Sequence, residues 1–357
     1  MCVSLNFIQY SSQFLTIVPG QRTGPTDAEN IVNPLVYREI PCVPWATVFP
    51  QGQRWKPKAG PQCTGVGFRH GRTGQNAFVR AGKRADFLPD GETPVACTLP
   101  PTLPPTALVT GAGRRIGREI ALSLAADGIA VAVHCHTSTT EAHQVVAEIE
   151  AKGGKAIVAR ANLARDDETE SMCQKVTSHL GSIGILVNNA STFTYDDVVT
   201  ATRDSWDHHM ETNLRAPFVL AQSMASMLTA DQQGCIVNII DQRVWNLTPH
   251  FMTYTLSKAG LWALTQTLAL ALSPRIRVNA IGPGPTLPSS RQTEEQFRAQ
   301  CDNVPLHHGT NPSEIADAVR FLVAARSMTG QMIALDGGQH LGWSFPAPGT
   351  PPRRIKR

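Results

Sequence analysis

The stretch ALVTGAGRRIGREIALSLAADG, residues 107–128, decides the fold. It opens with the pattern of a short buried strand, passes through a turn that contains Gly111, Gly113 and Gly117, and continues as a helical run. A glycine-rich turn between a strand and a helix allows a pyrophosphate to approach the helix N-terminus closely. The stretch therefore predicts the first strand, turn and helix of a nucleotide-binding domain.

The same alternation of strand and helix patterns continues along the chain. Further strand patterns are IAVAVHC, KAIVARANL, GILVNNA, GCIVNII, IRVNAIGPG and GQMIALDGG, with helical patterns between most of them. Apolar strands that alternate with amphipathic helices indicate a parallel sheet covered on both faces. We expect an α/β fold, a Rossmann-type doubly wound sheet of about seven parallel strands, with ligands at the carboxyl ends of the strands.

Composition divides the chain into three parts. Residues 1–105 contain 14 Pro and 10 Gly without a sustained helical or alternating pattern, so we expect a largely irregular extension. Residues 106–343 form the predicted domain, and residues 344–357 form a basic, Pro-rich tail. A mis-called start of the reading frame also explains the first part. The next methionine after Met1 is Met172, so the sequence leaves both explanations open.

The charge distribution argues against nucleic-acid binding. The net charge of +4 comes from the two ends, because residues 102–352 hold 18 basic and 22 acidic residues. The predicted domain is therefore slightly acidic, whereas a nucleic-acid interface needs a basic surface. No apolar run reaches the ~20 residues that a transmembrane helix needs. We expect a cytoplasmic protein that binds neither nucleic acid nor membranes.

Eight scattered cysteines predict no metal site. They show neither C-x-x-C pairs nor a regular spacing, which favours incidental thiols in a reducing compartment. A zinc cluster of Cys42, Cys63, Cys97 and His70 is the only arrangement that the spacing suggests, and we do not expect it to bind metal.

The motif Tyr254-x-x-x-Lys258 predicts a catalytic pair. Positions i and i+4 lie on one face of a helix, so the phenol and the ammonium group can meet. A cation beside a phenol lowers the pKa of the phenol, which would make Tyr254 a proton donor or acceptor near neutral pH. Asp241 lies thirteen residues before Tyr254.

These motifs resemble those of the short-chain dehydrogenases/reductases. TGAGRRIG is similar to the family's T-G-x-x-x-G-x-G, with Arg115 in place of the middle glycine, and NNAS and GPGPT match two further family loops. The resemblance implies that Lys258 also binds the nicotinamide ribose, that Asn213 helps to hold a water chain to this lysine, and that the enzyme is a homotetramer. The cofactor-binding residues that it implies are Gly111, Gly113, Arg115, Ile116, Gly117, His136, Thr137, Ser138, Asn162, Leu163, Asn189, Ala190, Ser191, Lys258, Pro283, Gly284 and Thr286.

The end of the second strand indicates which cofactor is used. NAD-specific sites usually place an Asp or Glu there to hold the ribose 2′-hydroxyl, but residues 131–140 contain no acid. His136, Thr137 and Ser138 can instead donate hydrogen bonds to a 2′-phosphate, and Arg115 can add charge. We therefore expect NADPH.

Asp241 stands where the family usually has a serine, and this difference suggests which substrate is used. Together with Arg115 and Phe193 it resembles the pteridine reductases, a branch of the family with an Asp-Tyr-Lys set. This resemblance implies that Arg115, Phe193, Asp241 and Tyr254 bind the substrate. A carboxyl group can accept hydrogen bonds from ring N–H groups or relay a proton to a ring nitrogen, and Phe193 could stack on a flat ring. We expect an NADPH-dependent reductase of pterins or folates, with the proton supplied through Tyr254 and Asp241.

Three alternatives stay open. The first is a carbonyl reductase, for example of 3-oxoacyl thioesters, although such an enzyme would use the missing serine. The second is an NADPH sensor without turnover, which would have no evident need for Tyr254 and Lys258. In the third, Asp241 only replaces serine for another substrate class or caps a turn.

Overall fold

The computed structural model of the chain describes residues 99–289 and 292–342. The predicted irregular extension (apart from its last seven residues), the tail and the cysteines considered as a zinc cluster lie outside these ranges. The strands are β1 Thr106–Val109, β2 Ala130–Cys135, β3 Ala156–Arg160, β4 Ile185–Asn188, β5 Gly234–Ile239, β6 Ile276–Pro283 and β7 Met332–Leu335. The α-helices are α1 Arg115–Ala126, α2 Thr139–Ala151, α3 Asp166–Leu180, α4 Arg203–Met210, α5 Ala216–Met227, α6 Met252–Ala271, α7 Glu294–Asp302 and α8 Pro312–Ala324.

The seven strands form one parallel sheet in the order β3-β2-β1-β4-β5-β6-β7, which confirms the predicted doubly wound fold. The strand order reverses between β1 and β4, because the chain first builds outward to β3 and then returns to the other side of β1. Ligands of such sheets bind at this switch point, beyond the carboxyl ends of the strands.

Apolar side chains alternate between the two faces of the sheet. On one face, Val109 packs with residues of α1, α2 and α8, such as Ile120 and Val319. On the other face, Leu108 packs with residues of α3, α5 and α6, such as Leu220. Both faces of the sheet are therefore buried. This explains why successive residues of each strand are mostly apolar, instead of alternating between apolar and polar residues.

The chain before β1 packs against the domain. Leu103 is buried in the core on the α1 side, and Leu99 contacts the same cluster. Gln233 donates a backbone hydrogen bond to the carbonyl of Thr102 (2.8 Å). The last residues of the Pro-rich segment thus dock on the fold ahead of the predicted boundary at residue 106.

Two further observations concern the described residues alone. None of their helices is long and apolar enough to cross a membrane. None of their His, Cys, Asp and Glu side chains form a group of three or more that could hold a metal ion.

Candidate active site

Two adjoining cavities lie at the carboxyl edge of the sheet. The first, of about 620 Å³, surrounds the glycine-rich turn after β1, and we call it the turn cavity. The second, of about 580 Å³, lies beside Tyr254, and we call it the tyrosine cavity. Arg115, Ile116, Asn189 and Ser191 line both, so the two form one continuous cleft.

Most predicted site residues line this cleft. In the turn cavity these are Gly111, Arg115, Ile116, Gly117, His136, Thr137, Ser138, Asn162, Leu163, Asn189, Ala190 and Ser191. In the tyrosine cavity these are Arg115, Phe193, Asp241, Tyr254, Lys258, Pro283, Gly284 and Thr286. Gly113 and Asn213 lie outside the lining of both cavities. Gly113 instead packs on the start of α2, where a Cβ would lie 3.3 Å from the backbone nitrogen of Ala142.

The turn itself has no room for larger residues at two glycines. Gly111 has a φ of 63°, a region that favours glycine, and a Cβ on it would lie 3.0 Å from Cα of Ala190. A Cβ on Gly117 would collide with the carbonyl oxygen of Gly111 and the amide nitrogen of Asn189. Asn189 also donates to the carbonyl of Thr110 (2.8 Å), which fixes the turn against the end of β4.

His134 stabilises the turn through a hydrogen bond to its backbone. Its Nδ1 accepts a hydrogen bond from the backbone nitrogen of Gly111 (2.9 Å), and its Nε2 lies 3.2 Å from the carbonyl of Ala161. Burial lowers the pKa of His134 to about 4, an effect that the Ala161 carbonyl opposes only in part. The neutral imidazole therefore accepts at Nδ1 and donates at Nε2, which suits both partners.

The two arginines of the turn point to different places. Arg115 donates to the carbonyls of Pro288 (3.0 Å) and Leu287 (3.3 Å), so it bridges the cleft on the side of the tyrosine cavity. Arg114 lines the turn cavity and pairs with Glu141 in the first turn of α2, close to Ser138. Both arginines line the turn cavity together with His136–Ser138, so the expectation that Arg115 supplies charge there stays a prediction, and Arg114 is a second source of charge. Sequence reasoning missed Arg114 although it is the neighbouring residue.

Asp241 uses its two carboxylate oxygens for two partners. Oδ2 accepts a hydrogen bond from the phenol of Tyr254 (2.9 Å), and Oδ1 accepts from the backbone nitrogen of Arg243 (2.8 Å). The second bond caps a short 3₁₀ helix, Gln242–Val244, that follows β5. Asp241 thus caps a turn and also contacts the phenol, so these two interpretations of the residue do not exclude each other.

The pKa of Tyr254 is raised, not lowered as the spacing predicted. Burial raises it well above its ordinary value, the Asp241 carboxylate raises it further, and Arg243 opposes this. Lys258 contributes little here because its ammonium group donates to the carbonyl of Ile239 (2.8 Å) rather than to the phenol. Tyr254 therefore stays protonated at neutral pH, as a proton donor requires.

Lys258 is almost completely buried at 2% exposure. Burial lowers its pKa to about 8, and the Asp241 carboxylate opposes this shift. Asn213 lies in a π-helical turn, Glu211–Arg215, and donates to Ser257 (3.0 Å) and to the carbonyl of Thr192 (3.0 Å). It therefore holds the loop after β4 against α6 and does not contact Lys258.

Sequence reasoning missed two residues that also line the tyrosine cavity, Phe251 and Arg243. The ring of Phe251 stacks on Phe193, with the centroids 4.4 Å apart, and Phe193 meets Tyr254 edge to face at 4.7 Å. The guanidinium of Arg243 lies 5.1 Å from the centroid of Phe251. Phe251 and Arg115 both line this cavity with positive φ (57° and 53°), a conformation that is uncommon for such residues and that often marks functional sites.

A buried polar network holds the aromatic pair and Tyr254 together. Asp196, only 2% exposed, accepts hydrogen bonds from both the backbone nitrogen and the hydroxyl of Thr253, the residue before Tyr254. The same hydroxyl lies 2.7 Å from Nδ1 of His209, whose Nε2 accepts from the backbone nitrogen of Thr194, the residue after Phe193. The network thus links the loop that carries Phe193 to the start of α6.

Comparison with known proteins agrees with this geometry. A short-chain dehydrogenase/reductase family model, described as enoyl-(acyl carrier protein) reductase, matches residues 111–340. The chain belongs to the short-chain dehydrogenase/reductase family. As a member of this family it is an oxidoreductase, which confirms the predicted enzyme class.

The proteins that this short-chain dehydrogenase/reductase is similar to include reductases of two different names. The 3-oxoacyl-[acyl-carrier-protein] reductase FabG of Staphylococcus epidermidis is 36% identical over 237 residues, which cover 65% of this chain and 97% of the relative. Structures of FolM alternative dihydrofolate reductase 1 from Brucella canis and Brucella suis, both complexed with NADP, are each 47% identical, with TM-scores of 0.66. They cover 69% and 70% of this chain, respectively, and 98% of their own chains.

Proposed function

We propose that this short-chain dehydrogenase/reductase is an NADPH-dependent reductase of pterins or folates. The observation that carries the proposal is the hydrogen bond between Asp241 and Tyr254 in a cavity that is also lined by Phe193. A carbonyl reductase of this family would have a serine hydroxyl at position 241. The 47% identity to the two Brucella alternative dihydrofolate reductases supports the same substrate class.

The turn cavity fits NADPH. Gly111 and Gly117 line it at the N-terminus of α1, where a pyrophosphate would lie. His136, Thr137 and Ser138 offer donors for a 2′-phosphate, and Arg114 supplies the charge beside them. Lys258, Pro283, Gly284 and Thr286 line the adjoining tyrosine cavity and would hold the nicotinamide end. When it is bound, NADPH supplies a hydride to the carbon of a ring C=N bond.

The chain must then supply a proton to the nitrogen of that bond. Tyr254 is suited to this because the raised pKa of its phenol keeps the proton in place until a stronger base is presented. Asp241 can accept a hydrogen bond from a ring N–H group while it orients the phenol. Addition of one hydride and one proton converts C=N to CH–NH, which balances the reduction.

A 3-oxoacyl thioester reductase is the second candidate. The 36% identity to the Staphylococcus epidermidis FabG favours it. In that reaction, Tyr254 would donate its proton to a carbonyl oxygen, and Asp241 would have to replace the hydroxyl that polarises the carbonyl. A carboxylate near a carbonyl oxygen that gains negative charge would oppose the reaction, which is why we favour the pterin or folate substrate.

The test is the consumption of NADPH by the purified full-length chain, followed by absorbance. Dihydrobiopterin, dihydrofolate and acetoacetyl coenzyme A are compared for the wild type and for Asp241→Ser. We expect turnover with a pterin or folate that falls by roughly 100-fold in the variant. Turnover with the thioester alone, unchanged or faster in Asp241→Ser, would support the second candidate. NADPH binding without turnover of any substrate would indicate a sensor.

A further inference from the structure

The tyrosine cavity carries an excess of positive charge. Arg115, Arg243 and Lys258 line it, and Asp241 is its only carboxylate among the described residues. Both oxygens of Asp241 already accept hydrogen bonds inside the protein. Because three cationic side chains face a single carboxylate, the cavity keeps a net positive charge.

The guanidinium group of Arg243 does not use all of its hydrogen-bond donors within the described part of the protein. Its Nη1 donates to the hydroxyl of Thr248 (2.8 Å) and lies 3.5 Å from the carbonyl of His250. Its Nε is buried without a hydrogen-bond partner in the described part of the chain. The Nη2 group donates to no residue of the described ranges and is not buried, so a ligand in the cavity can accept a hydrogen bond from it.

Arg243 also differs from half of the other arginines in the described ranges. Six others in the described ranges form ion pairs with carboxylates: Arg114, Arg118, Arg165, Arg203, Arg215 and Arg320. Arg243 instead lies against the face of Phe251, which stacks on Phe193. Its charge therefore lies beside the aromatic pair in the tyrosine cavity, which Asp241 also lines.

We propose that Arg243 binds a carboxylate on the side chain of the substrate. The inference rests on the proposed function and narrows it to folates, whose side chain ends in a glutamate, over pterins without a carboxylate. Guanidinium and carboxylate groups form charge-assisted hydrogen bonds, often two at once, that are stronger than those of neutral pairs. Phe193 and Asp241 would hold the pterin ring, and Arg243 would select the substituent.

The test compares dihydrofolate with its dimethyl ester, which has the same rings but no negative charge. In the wild type we expect kcat/KM to be at least about tenfold lower for the ester, mainly through KM. In Arg243→Gln the ratio of the two kcat/KM values should fall to about one, because the partner of the carboxylate is gone. Arg243→Lys should keep part of the preference, since it retains the charge without the planar guanidinium.

Two further variants separate charge from structure. Arg298→Gln removes an exposed arginine of α7 that does not line the cavity, and it should leave the wild-type ratio intact. Thr248→Val removes the hydrogen bond from Arg243 to its loop but keeps the guanidinium, so the preference should persist. Loss of the preference in Thr248→Val would mean that loop structure is responsible and would overturn the proposal.

The outcome also distinguishes this inference from the proposed function. Equal use of dihydrofolate and its ester by the wild type would overturn the role of Arg243 alone. No turnover with any pterin or folate, dihydrobiopterin included, would overturn the proposed function and this inference with it.

Discussion

The two cavities of the cleft are built in different ways. The turn cavity is lined largely by backbone and short side chains that follow β1, β2, β3 and β4 within a few residues of each strand. The tyrosine cavity combines long side chains from distant segments, such as Phe193, Arg243, Phe251 and Gln300. The first depends on local chain geometry and the second on tertiary packing. A substitution in the turn cavity should therefore lower activity with every substrate. A substitution in the tyrosine cavity should lower activity with some substrates only, or slow only the chemical step.

The largest effect should come from Tyr254→Phe. Removal of the phenolic hydroxyl removes the proposed proton donor and the partner of Asp241, so kcat should fall by about 10³-fold. The turn cavity stays intact, so the Kd of NADPH should change little. Steady-state kinetics with dihydrofolate and a fluorescence titration with NADPH measure the two quantities.

Tyr195→Phe is the matched control. Tyr195 is half exposed, and its hydroxyl lies 3.3 Å from a ring nitrogen of His250 outside the lining of the cavity. This variant should stay within about twofold of the wild type. A similar loss in both tyrosine variants, or a parallel loss of NADPH binding in Tyr254→Phe, would contradict the separation of the two cavities.

In the turn cavity, the strongest test is the stability of the protein as a function of pH. The folded pKa of His134 is about 4, below its ordinary value of 6.5, so the unfolded chain binds more protons between these values. The stabilisation is present above pH 6.5 and is lost as the pH falls towards 4. Its full size is about 3 kcal/mol, measured as the free energy of unfolding in urea.

His134→Asn should weaken this dependence, because an amide oxygen can accept from Gly111 but does not titrate. The buried His209, whose pKa burial also lowers, would keep part of the dependence in the variant. His143→Asn, an exposed position on α2, should retain the wild-type curve. An unchanged curve in His134→Asn would show that the titration of this imidazole does not cause the pH dependence of stability.

The sequence predicted one cavity better than the other for physical reasons. Gly111 and Asn189 lie within two residues of a strand end and Gly117 lies in the first turn of α1, and short motifs encode such positions. Asp241, Tyr254 and Lys258 were also predicted as a set, because β5 and α6 are consecutive strand and helix elements. Arg243 and Phe251 were missed because their role depends on Phe193, which lies on another loop about fifty residues earlier.

The direction of the Tyr254 pKa shift was wrong for a related reason. Spacing shows that a lysine can lie near a tyrosine, but it shows neither burial nor the orientation of the ammonium group. In the fold, Lys258 turns towards the carbonyl of Ile239, and the carboxylate of Asp241 takes the position beside the phenol. Only the packed structure reveals which of the two charges acts on Tyr254.

The smallest predicted effect tests this arrangement through the pH dependence of kcat/KM. The pKa of Lys258 is about 8, so its ammonium form is present below that pH and is lost as the pH rises through it. If the ammonium group helps to hold the cofactor, kcat/KM should decline on this alkaline side. Asp241 raises the pKa of Lys258, so Asp241→Asn should move the decline to lower pH, by about one unit or less.

Asp231→Asn removes an equal charge from an exposed loop on the opposite edge of the sheet, and it should leave the position of the decline unchanged. A shift to higher pH in Asp241→Asn would mean that the carboxylate does not act on Lys258 as the geometry implies. A shift of the decline to lower pH, together with a large loss of rate, would show that Asp241 has two effects. The same carboxylate would orient the phenol of Tyr254 and keep Lys258 charged.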